Sequence, residues 1–195
     1  MNPFTQTKLS TSKLEMNEMK AMLPLDIREG LENGTLKMVD AVIYSSKALD
    51  NATSKELMAA SDNQKEGITN LNNRKLEAVQ YFMLKGIRLR SASINGEGAI
   101  TEQNIAEADF SKEIDPKVAN GELEILVSGK TAFPRNSCSV FQTNNSVALA
   151  GYHELDCPRL IAPQSEIVPT LRTYGSTGGR VVVRIELFGC KIIPA

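Results

Sequence analysis

The pattern of apolar and polar positions divides the chain into a helical beginning and a long, strand-like remainder. In STSKLEMNEMKAM, residues 10–22, Leu14, Met16, Met19 and Met22 recur at near-helical spacing, and Ser10 or Thr11 is placed to cap the first turn. Pro24 interrupts the pattern. LPLDIREGL restarts it with the proline in the first turn, where a missing N–H costs nothing, and Asn33-Gly34 stops it. Helices this short are marginal in water, so the pattern predicts an N-terminal helical arm, residues 1–33, that lies on another surface. Leu14, Met16, Met19, Met22, Leu25 and Ile27 are the candidates for that contact. The surface is either the parent domain or a neighbouring subunit, and adaptable Met-rich faces suit the second.

From residue 34 onward the chemistry turns to β. TLKMVDAVIYSSK places Val39, Ala41 and Ile43 on one side of an extended chain, with a short helix as the competing reading. Residues 48–75 read as a polar excursion with a short helix near Ser54 to Ala60. VQYFMLKGIRLRSASI is a long strand in which Gly86 marks a bulge or a close approach. Asn95-Gly96 reads as a hairpin turn. Asn120-Gly121 launches ELEILVSGK, where Leu123, Ile125 and Val127 face one way and Glu122 and Glu124 the other. Further strands are expected at residues 137–142, 146–153 and 166–174, separated by Pro134, Pro158, Pro163 and Pro169.

The closing run VVVRIELFGCKII alternates Val181, Val183, Ile185 and Leu187 with Val182, Arg184, Glu186 and Phe188. An apolar strand of this kind left at an edge invites aggregation, so it is predicted to lie inside its sheet. About eight strands with Gly, Pro and Asn turns and no long helices between them make the chain mainly β, an antiparallel sandwich or barrel.

Composition narrows the chemistry. The chain has 195 residues, 42% hydrophobic and 23% charged, which suits one domain with an appendage. Its 22 Lys plus Arg against 23 Asp plus Glu leave a net charge of −1, so no strong nucleic-acid signal exists beyond a local patch. The nearest to a basic patch is Lys85, Arg88 and Arg90. No stretch has the length of a signal peptide core or a membrane span, which predicts a product made in the cytoplasm. Cys138, Cys157 and Cys190 are three widely spaced cysteines and fit reduced thiols.

No enzyme emerges from these residues. His153 is the only histidine, too few for an imidazole metal site, and no GxSxG elbow accompanies it. Cys157 follows His153 by four positions, but Glu154 and Asp156 beside it would raise its thiol pKa. Glu122 and Glu124 read as a solvated strand face, and YGSTGGR is followed by a strand where a phosphate-binding loop needs a helix. No cofactor is expected.

QYFMLKGIRLRSA, then NGELEILVSGK with TAFPRNSCSVF, and the terminal β-strand together resemble, over about residues 35 to 195, the jelly-roll capsid proteins of small tailless icosahedral phages. The resemblance implies a single jelly roll over residues 34–195 that self-assembles into a virion shell, with the arm reaching onto neighbouring subunits. Its partners would be other copies of itself and other virion proteins. In the arm, Lys8, Lys13, Lys20 and Arg28 are offset by Glu15, Glu18, Asp26 and Glu29, so it releases few counterions from nucleic acid. The genome of such a virion would be neutralised by another protein, polyamines or an internal membrane. The alternative is another virion module, a spike, tail or head-decoration protein, docking on a preformed lattice.

Overall fold

The alternating runs become eight strands in the computed structural model, which describes residues 20–142, 150–175 and 180–195. They are β1 (Leu36–Ala48), β2 (Ser54–Glu56), β3 (Tyr81–Ser93), β4 (Glu122–Val127), β5 (Lys130–Ser137), β6 (Tyr152–Ile161), β7 (Ile167–Arg172) and β8 (Val181–Pro194). Two antiparallel four-stranded sheets result, sheet A in the order β1-β8-β3-β6 and sheet B in the order β2-β7-β4-β5. The pairing is nested: β1 with β8, β2 with β7, β3 with β6 and β4 with β5. At the innermost point β4 and β5 are joined by a turn at Ser128 and Gly129, whose φ values of 48° and 76° match the twist of a tight hairpin.

The closing strand lies between β1 and β3, inside its sheet as its alternation requires. Ile43, Phe82, Ile87, Leu123, Ile125 and Ile185 are each at 0% exposure in the core between the sheets. Leu123 and Ile125 face this core while Glu122 is exposed and Glu124 half-buried, as the alternation of β4 predicts.

A second, smaller apolar cluster lies on the back of sheet A. There Leu23 and, from helix α1 (Leu25–Glu32), Ile27 cover Met83 and Ile192. Residues 20–33 of the predicted arm therefore fold back onto their own body. Leu23 and Ile27 stand four apart and form one stripe, and the back of sheet A offers apolar surface only a short turn away from Leu36.

Several predicted elements differ. Residues 54–56 form a strand and not a helix, because Ser54 to Glu56 pair with Arg172 to Thr170 of β7 while Leu57 and Met58 drop into the core. Residues 138–141 make a 3₁₀ turn, capped by Ser137, which buries Cys138 and Phe141. The strand of this region is β5, just before it. Pro158 lies within β6 and Pro134 within β5, both edge strands, where a lost N–H breaks no ladder bond. Residues 146–149 of one expected strand lie outside the described residues. Asn95-Gly96 joins no hairpin: after β3 the chain crosses to the other sheet, held by Ile94 N–H donating to Arg180 O and by the Arg180 guanidinium donating to the Ile94 carbonyl.

Gly86 does mark a bulge. The register of β3 shifts between Leu84 and Gly86 against both neighbours, and a Cβ at Gly86 would lie 2.2 Å from the Tyr152 hydroxyl. Gly189 opposite is tighter still, since a Cβ there would lie 1.8 Å from Met83 O.

Candidate assembly surface

Among the described residues, the side chains with the most chemistry are committed to structure. His153 packs edge-on against Phe133 and Phe141, with ring centroids 5.9 and 6.1 Å away. Burial, helped by the charge of Glu122, pushes the Cys138 thiol up to about 12, which leaves it protonated and inert at neutral pH. Cys157 is exposed, on a stretch of β6 that bulges out between the residues paired with Leu84 and Gly86. Glu124 pairs with Arg172 at 3.1 Å and Glu122 with Arg135 at 3.8 Å, so each carboxylate of β4 has its own cation. No group of three or more His, Cys, Asp or Glu able to hold a metal occurs among the described residues.

The predicted basic patch does not open to solvent. Arg88 donates to Glu186 at 3.0 Å and to the Ala150 carbonyl at 2.8 Å. Arg90 is only 4% exposed, and its Nε donates to the Phe110 carbonyl at 2.8 Å while Nη2 donates to Lys112 O. Burial, with Arg88 next to it, lowers the Arg90 pKa. Beside them Arg184 stacks on Tyr44, 4.3 Å from the ring centroid, and also reaches Glu186. Arg90, with Arg184 5.8 Å from the Phe110 ring centroid, straps the segment around Phe110 to the back of sheet A. Lys85, at the bulge, lies apart from them in a shallow groove with Asp40, Tyr152, Glu154 and Cys190. Arg88 and Arg90 share one face of β3, but sequence alternation carries no signal that a later segment covers that face.

The predicted contact residues also divide. Leu14, Met16 and Met19 lie outside the described residues. Met22 and Leu25 are 51% and 62% exposed, whereas Ile27 is 1% exposed and buried against its own sheet. Ile27 therefore leaves the set of candidate interface residues.

The four sheet edges are the other surface through which a β-sandwich can meet a partner. Three are blunted. β6 carries Pro158 and its bulge, β5 carries Pro134 among exposed polar residues, and β2 is three residues long with Lys55 and Glu56. The fourth, β1, is covered over its second half by the segment around residues 68–70. Ser46 N–H donates to Ile68 O, Asn70 N–H to Tyr44 O, and Asn70 Nδ2 to Val42 O at 2.7 Å. From Leu36 to Ala41 no strand lies on the outer side of β1 among the described residues. Val39 and Val42 are exposed there, each at 37%.

No protein-family model matches the sequence, and no curated protein is similar to it. Among the described residues no helix is long and apolar enough to cross a membrane.

Proposed function

We propose that the chain is a structural, self-assembling protein, a single jelly roll that serves as a component of a phage virion capsid. The observation that carries this reading is the nested strand order, β1-β8-β3-β6 against β2-β7-β4-β5. Winding one long antiparallel hairpin into two sheets produces that order, and eight-stranded sandwiches of this kind recur in capsid proteins, lectin domains and cupins. A cupin centre needs several imidazoles, while the one histidine here is packed between Phe133 and Phe141. The strand carboxylates Glu122, Glu124 and Glu186 are each paired with an arginine, which suits a shell building block better than a catalyst. The arm contributes helix α1 to its own body and turns Met22 and Leu25 outward for neighbouring copies.

One observation favours a second reading, a spike, tail or decoration module on a preformed lattice. Ile27 and Leu23 already find burial at home, so the body is complete without arm exchange. The mass of the native assembly and electron microscopy of the purified protein separate the two. Closed shells or rings are expected for a shell protein. Binding to a preformed lattice without shells of its own supports the second reading, and a strict monomer at high concentration that joins no particle sinks both.

A further inference from the structure

We propose that two copies of the chain pair antiparallel through the open half of the β1 edge, residues 36–41, with Val39 facing Val39 across a two-fold axis. The inference deepens the self-assembly reading and rests on it for a reason why copies meet.

Backbone phase fixes which groups are available. Ala195 N–H donates to Thr35 O and Leu49 N–H to Val181 O, so odd-numbered residues of β1 bond to β8. Ser46 N–H and Tyr44 O bond to the covering segment, so even-numbered residues point away from β8. In an antiparallel ladder this alternation holds along the strand. The N–H and C=O of Leu36, Met38 and Asp40 therefore point outward, where no strand among the described residues receives them.

Sterics and charge then select the register. Outward groups must meet outward groups, so partners shift only in steps of two residues. With Val39 on Val39, Met38 meets Asp40 and Lys37 meets Ala41, while Leu36 lies against Val42, whose carbonyl already accepts from Asn70 Nδ2. The ladder ends where Asn70 begins to occupy the edge. One step one way sets Asp40 on Asp40. One step the other way brings the turn at Gly34 against Val42, and a further step sets Lys37 on Lys37. Like charges directly opposite destabilise a strand pair. The chosen register has neither fault and covers the exposed Val39 and Val42 of both copies. The other three edges are interrupted by proline, a bulge or their short length, whereas this one is a continuous run whose charges, Lys37 and Asp40, face uncharged partners in the chosen register.

The test uses the full chain in a Cys157→Ser background. Val39 would form a non-hydrogen-bonded pair with itself, with Cα atoms about 4.5 Å apart, within disulfide range. Val39→Cys should therefore yield a covalent dimer on mild oxidation, with the linkage between the two introduced cysteines. Lys37→Cys, which faces Ala41, should stay uncrosslinked. Val39→Lys and Val39→Glu should each weaken self-association by about tenfold or more, and mixing them should restore it. Equal crosslinking of both cysteine variants, none for Val39→Cys, or a linkage to any other residue overturns the pairing. So does wild-type association of the charge variants. The outcome is separable from the shell reading. Crosslinked dimers that never build larger particles keep this pairing and sink the shell, whereas normal particles from Val39→Lys sink the pairing and keep the shell.

Discussion

Sheet A is the drier of the two, buried on one face and covered at both ends of the other, where sheet B is buried on one face alone, although similar alternating residues build both. In sheet A, β8 buries Val183, Ile185 and Leu187 toward the core and also Val182, Cys190 and Ile192 on its back. In sheet B, β4 buries Leu123 and Ile125 and gives its glutamates to the outside. The difference comes from covers. Helix α1 closes one end of the back of sheet A over Met83 and Ile192, and the segment held by Arg90 closes the other. An antiparallel strand that is apolar on both sides announces a further layer, and one with clean alternation announces water.

The largest effect should come from the tightest point of the dry sheet. Gly189→Ala sets a methyl against the Met83 backbone, which cannot rotate away, and should cost about 3 kcal/mol or yield insoluble protein. Thermal melts and soluble yield check it. Next, Ile27→Ala removes a fully covered side chain and should cost about 2–3 kcal/mol in denaturant unfolding. Leu25→Ala, two positions away and 62% exposed, should stay within about 0.5 kcal/mol. Equal costs at the two positions would mean that the helix does not hold the back of sheet A. Arg90→Ala leaves the Phe110 and Lys112 carbonyls without their donor and should cost about 1–3 kcal/mol, with faster proteolysis of the segment around Phe110. On the wet sheet, a double-mutant cycle on Glu124 and Arg172 should read about 0.2–1 kcal/mol.

At neutral pH the Cys138 shift changes nothing, because the thiol is neutral in both folded and unfolded chains. Its folded pKa is raised from 9.0 to about 12, so its contribution is fully present below pH 9 and is lost as pH rises toward 12. Alkylation at pH 8 should label the exposed Cys157 quickly and Cys138 only after unfolding.

The same contrast explains what the sequence made legible. β4 and β8 carry long alternation, so their faces and the interior place of β8 could be read directly. β2 is three residues long and too short for any period to register. β5 is exposed along most of its length and contains Pro134, so it lacks the apolar pattern that marks a strand. Helical spacing said that Ile27 needed cover but not whose, and its packing with Met83 and Ile192 settled that, while Leu23, which the spacing did not single out, joins the same cluster. For the candidate surface, the alternation of β1 showed the faces of Val39 and Ile43, but not that the segment around Asn70 would cover only half of its edge.

Because β8 sits between β1 and β3, those two strands share no neighbour until residues 181–194 have been synthesised. Until then a nascent chain on the ribosome holds two long apolar ribbons with nothing to bridge them. Long-range closure of this kind is slow and exposes sticky intermediates. The protein should therefore depend on chaperones during translation and gain its cooperative fold in one late step.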